Sequence, residues 1–196
     1  MNVLIMGDSW AADWSSKHTD YPGWPNVIAE HTNTVNIAQA GVSQYSICKQ
    51  LDMVEPEDYD KVIISITSPY RVFTYEHPVH KQGLHAASDL IYTDIEHHAK
   101  THKNNPRLTS AKEYFEHHFD IDKALFDHKL YVEYCLQRLD PDKTIVTSNI
   151  QDNDEFVIGF NYLDGYDIWQ SYPGKINHLS EEGNYLFADR IITTEL

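Results

Sequence analysis

The run DKVIISIT at 60–67 is the strongest constraint on the fold, because Val62, Ile63, Ile64 and Ile66 give it no wet face. A β-branched run unbroken in hydrophobicity suits a strand covered on both sides, and such strands belong to parallel sheets between layers of helix. NVLIM at 2–6 and KTIVTS at 143–148 repeat the signal, and TVNIA at 34–38 is a shorter version. Helical patterns fall between them: GWPNVIAEH (23–31), SQYSICKQLDMV (43–54) and a stretch from about Ile121 to Leu139 that DPD terminates. A last helix begins near Ser180, with Tyr185, Leu186, Ala188, Ile191 and Ile192 as its apolar face. This alternation predicts a three-layer α/β/α sandwich, flavodoxin-like, on a mostly parallel sheet.

At 196 residues the chain reads as one domain over 1–196. The polar stretch from about 70 to 110 breaks the rhythm and reads as a His-rich insertion after the third strand. Ser110 with Glu113 is expected to restart helix as a capping box, and YPGWP (21–25) to open a helix with Pro25 in its first turn. The net charge of −15 disfavours nucleic acid and anionic membrane surfaces, which need clustered Lys and Arg. A neutral or cationic substrate fits that balance more easily than a polyanion. The apolar opening is only four residues long with no basic segment before it, so neither a signal peptide nor a membrane span is expected. Cys48 and Cys135, far apart in helix-like stretches, read as buried free thiols, and the expected compartment is the cytoplasm.

The first strand ends in Gly7, Asp8 and Ser9, with Trp10 behind them. Gly-Asp-Ser is ordinary turn chemistry, but it also sets a hydroxyl at the carboxyl end of a central strand, where open α/β sheets place ligands. A serine hydroxyl attacks a carbonyl only when a base takes its proton and donors hold the oxyanion. His178, just before the last helix, is placed to be that base.

GDSW after the first strand, NIAQAGVS after the second and NHLSEEGNYLFADRI near the C-terminus together resemble the SGNH (GDSL-type) hydrolase family, in order and spacing over nearly the whole chain. The resemblance implies a serine ester hydrolase with Ser9 as nucleophile, His178 as base, and the backbone N–H groups of Ser9 and Gly41 as oxyanion donors. Two positions depart from the family pattern. Ser68, in ITSPY, stands where an asparagine donor is expected, with Thr67 as the alternative if the register slips by one. Lys175 stands where an aspartate should orient the histidine, so either Asp164 or Asp167 reaches the imidazole or the site is a Ser–His dyad.

Nine of the twelve histidines lie between positions 77 and 128. Their spacing, and that of Asp89 and Asp94, matches no tight zinc signature, so no metal or other cofactor is expected. His97–His98 and His117–His118 read as solvated helix faces. Tyr70, Arg71, His77 and His80 leave the third strand at its carboxyl end and are expected to roof the cleft. There, with Asp8 and Trp10, they are candidate substrate contacts. Arg71 could hold a substrate carboxylate or serve as an ion-paired structural residue. Trp10, Trp14, Tyr21, Trp24 and Tyr70 suit a sugar-binding cleft, although most of the 24 aromatic residues must be core. The expected activity is hydrolysis of a small ester, first an O-acetyl group on a carbohydrate. The alternative is an inactive binding or accessory protein that keeps the fold. Oligomeric state is not legible.

Overall fold

Successive residues of the first strand point to opposite sides of the sheet, and that alternation sorts the core into two layers. The computed structural model describes residues 1–14, 20–150, 157–175 and 178–196. Leu4 and Met6 of β1 (Asn2–Met6) join Val62 and Ile64 of β3 (Lys61–Ser65) and Val146 of β4 (Thr144–Ser148) on one face. This face is covered by Ile47, Cys48 and Leu51 of α2 (Gln44–Leu51) and by Val132, Cys135 and Leu136 of α5 (Ile121–Leu136). Val3, Ile5, Ile63 and Ile145 go to the other face. There they meet Trp24, Val27 and Ile28 of α1 (Trp24–Ala29) and Phe187, Ala188 and Ile191 of α7 (Glu181–Glu195). Each fully buried side chain of this size contributes about 1.5–3 kcal/mol against exposure.

Among the described residues the sheet has five strands in the order β2-β1-β3-β4-β5, every pair parallel, with β2 at Asn33–Asn36 and β5 at Asn161–Asp164. Chain order therefore reverses at β1, and the carboxyl end of β1 opens on the crevice where doubly wound sheets bind ligands. α6 (Tyr166–Ser171) follows β5. Among the described residues, no helix is long and apolar enough to cross a membrane.

The segment after β3 carries more structure than its polarity suggests. Val72 and Leu90 form an antiparallel bridge, and α3 (Tyr92–Thr101) and α4 (Pro106–His117) pack together through Ile95, Leu108 and Ala111. The expected helix start at Ser110 is corrected: α4 begins four residues earlier. Asn105 Oδ1 accepts the amides of Arg107 and Leu108, and Pro106 opens the first turn, so Ser110 lies inside the helix.

Candidate active site

Gly7, directly after β1, has φ of +146°, and a Cβ there would lie 2.6 Å from Ser65 Cβ. Only glycine fits, and the chain turns sharply enough to bring Asp8 and Ser9 over the sheet edge. Gln50 of α2 fixes that turn from below: Gly7 N–H donates to its Oε1 at 2.8 Å, and its Nε2 donates to the Gly7 carbonyl at 3.0 Å. Asp8 is 3 % exposed; its carboxylate accepts the Trp10 amide at 3.0 Å and the Thr67 hydroxyl at 2.7 Å. Burial raises its pKa, and the Arg71 charge and these hydrogen bonds only partly offset that. Asp8 is thus a buried brace for the turn.

Ser9 is 5 % exposed and lines a cavity of about 520 Å³ together with Trp10, Gly41, Arg71, His80 and His178. Trp14 couples two of these residues. Its indole N–H donates to the Ser9 carbonyl at 2.7 Å, and its ring packs edge-on against the His178 ring at 4.6 Å. The loop bearing His178 is fastened by Asn184 of α7, which donates to the carbonyls of Leu179 and Ser180 and accepts the Trp24 amide. Ile176 and Asn177, within the C-terminal motif, lie outside the described residues.

Gly41 has φ of +81°, and a Cβ there would fall 2.4 Å from Ser88 Oγ. Its carbonyl accepts from the Asp89 amide at 3.0 Å and from Arg71 Nη1 at 2.9 Å. Among the described residues no acceptor takes the N–H of Gly41 or of Ser9.

The described residues join neither the Ser9 hydroxyl to His178 nor any carboxylate to the His178 ring. Asp164 caps the Tyr166 amide instead, at 2.8 Å. Burial, with smaller contributions from His85 and the Arg71 charge, holds His178 down to about 4. The imidazole is therefore neutral at pH 7 and able to accept a proton.

The third strand's loop divides. Thr67 turns down to Asp8, and Ser68 lines a separate cavity of about 440 Å³ with Tyr45 and Tyr131 rather than the one holding Ser9. Arg71 reaches both cavities; its Nε is buried without a partner and no carboxylate pairs with it among the described residues. Tyr70 points outward at 45 % exposure, and Trp10 packs on Phe187 while touching the cavity. His80, His85, Ser88 and Asp94 of the insertion complete one wall, whereas His77, 1 % exposed, lies behind it.

This architecture has a solved counterpart. A structure of a candidate lipolytic protein of the G-D-S-L family from Desulfitobacterium hafniense DCB-2 is similar over 96% of this chain and 95% of that one. The TM-score is 0.50 at 12% sequence identity, a likeness of fold. No protein-family model matches the sequence, and no curated protein matches it.

Proposed function

We propose that the protein is a serine ester hydrolase working through a Ser9–His178 dyad on a small-molecule ester, an O-acetylated carbohydrate being the first candidate. The observation that carries this reading is that Ser9 and His178, 169 positions apart in sequence, line one cavity, at which no described residue takes the N–H groups of Ser9 and Gly41. His178 takes the Ser9 proton as Oγ attacks the ester carbonyl, and the two N–H groups hold the oxyanion. His178 then returns the proton to the leaving alkoxide, and water resolves the acyl-enzyme by the same steps. With no carboxylate among the described residues orienting the imidazole, the rate is expected to lie orders of magnitude below that of a full triad. Arg71, which no carboxylate pairs among the described residues, supports a substrate carrying an anionic group near the ester.

Hydrolysis of p-nitrophenyl acetate by wild type and Ser9→Ala tests the proposal. The variant should lose about 10³-fold or more in kcat while its thermal midpoint stays nearly unchanged. Equal turnover in both proteins would place the chemistry elsewhere.

A second reading, a non-catalytic binding protein on the same fold, rests on there being no hydrogen bond between the Ser9 hydroxyl and His178 among those of the described residues. It requires that wild type show no turnover at all.

A further inference from the structure

We infer that His80, Asp94 and His98 bind one divalent transition metal of zinc-like character at the wall of the Ser9 cavity. Asp94 and His98 stand one turn apart on α3, which puts both side chains on one helix face. His80 arrives from the loop ahead of that helix. Its Nε2 lies 3.1 Å from Asp94 Oδ2, and His98 Nε2 lies 3.5 Å from the other oxygen, Oδ1. Two imidazoles thus flank the two oxygens of a single carboxylate. Donors sharing one ion at bond lengths of about 2.0–2.2 Å sit roughly 3.0–3.6 Å apart, a spacing that each nitrogen already keeps from its own carboxylate oxygen, and the His80 and His98 rings meet edge-on with centroids 5.2 Å apart.

His77 supplies the outer support. Its Nδ1 accepts the amides of Val79 and His80 at 3.2 and 3.1 Å, which leaves the ring proton on Nε2. Nε2 points at Asp94 Oδ2 from 3.4 Å, the long limit of a hydrogen bond, and is otherwise a buried nitrogen without a partner. Although His77, His80 and Asp94 all bring a ligand atom within 4.8 Å of one another, that proton makes His77 the residue that orients the carboxylate rather than a ligand. The inner residues are accessible enough for an ion to enter: the His80, Asp94 and His98 side chains are all partly exposed. His80 and Asp94 also line the cavity, so the ion's remaining positions face the space next to Ser9.

The test is binding, independent of ester hydrolysis. Metal-stripped protein is titrated with Zn²⁺ by calorimetry and with Co²⁺ by visible absorption, and its thermal midpoint is read with and without Zn²⁺. One ion per chain, d–d bands of a low-coordinate cobalt site, and a raised midpoint are expected. Asp94→Asn and His80→Gln should each abolish saturation at micromolar metal, and His98→Gln should weaken binding about 10-fold or more. The exposed pair His117 and His118, changed together to Gln, should leave binding as in wild type. No saturable binding, or binding that persists in a folded Asp94→Asn variant, overturns the assignment. So does loss of binding in the His117/His118 variant alone.

Discussion

His178 faces no carboxylate among the described residues, and this sets how the site answers to pH. Buried, and near the Arg71 guanidinium, the ring prefers to stay neutral down to about 4. A base must be neutral to work, so the acid limb of kcat/KM for p-nitrophenyl acetate should lie near 4, well below the ordinary histidine value of about 6.5. Arg71→Met removes a cation that disfavours the imidazolium and should move this limb upward. Only part of the shift should be recovered, because burial is its larger cause. A wild-type limb at 6.5 would show that another group is titrating. The same shift links folding to pH. The unfolded chain binds a proton that the folded ring refuses, so stability falls as pH drops from about 6.5 towards 4. Asp94 behaves oppositely: burial raises it, but hydrogen bonds from His77 and His80 and the charges of His80 and His98 outweigh burial and hold it near 2. It stays a carboxylate throughout that range.

At the scale of elements, α2 does more than cover the sheet. Gln50 grips both polar groups of the Gly7 peptide, and in Gln50→Leu the Gly7 N–H is left buried without an acceptor. A loss of about 1–3 kcal/mol in urea unfolding is expected, with reduced ester hydrolysis because Ser9 follows that turn. An unchanged midpoint would mean the turn holds itself. The sequence made the interior strands and the flanking helices legible, since β1, β3 and β4 are mostly apolar, but the expected face of α7 is corrected: Ala188 and Ile191 are buried with Phe187, whereas Tyr185 and Leu186 are 44% and 41% exposed, because the stripe facing the sheet is rotated onto Phe187. β5 was not legible, because NYLD is short, mixed and half-buried, and pairs with one neighbour among the described residues. Of the candidate site, the convergence of Ser9, Gly41 and His178 on one cavity was legible, since their residue types drew them together from distant parts of the chain. The place of Ser68 was not legible, because whether Thr67 or Ser68 turns inward depends on Asp8 from another strand. His98 looked like a solvated helix position; it faces Asp94 on its own helix, and what makes the pair a cluster is a loop histidine that no local periodicity reports. The two cysteines, distant in sequence, meet at the α2–α5 contact with their sulfurs 3.3 Å apart.

For the whole molecule, the net charge of −15 is a burden on compactness. Exposed pairs such as Lys100–Glu96 and Lys112–Glu116 weaken with salt, but each is worth only about 0–1 kcal/mol. Relief of self-repulsion across the whole surface should outweigh them, so the thermal midpoint should rise between low salt and about 0.15 M NaCl, where the screening length is about 8 Å. A midpoint that falls with salt would show that the ion pairs dominate. Within this acidic surface the cavity is set apart: Arg71 and Lys175 face it, while Asp89 accepts from Ser43, Ser46 and Thr74, and Asp94 is held by histidines. The walls of that cavity come from chain positions near 9, 41, 71 and 178, and α1 packs on α7 across the back of the sheet. A ribosome therefore delivers Ser9 first and His178 more than 160 residues later. Throughout synthesis the serine waits beside an unfinished pocket, whose last wall arrives only with the docking of the final helix.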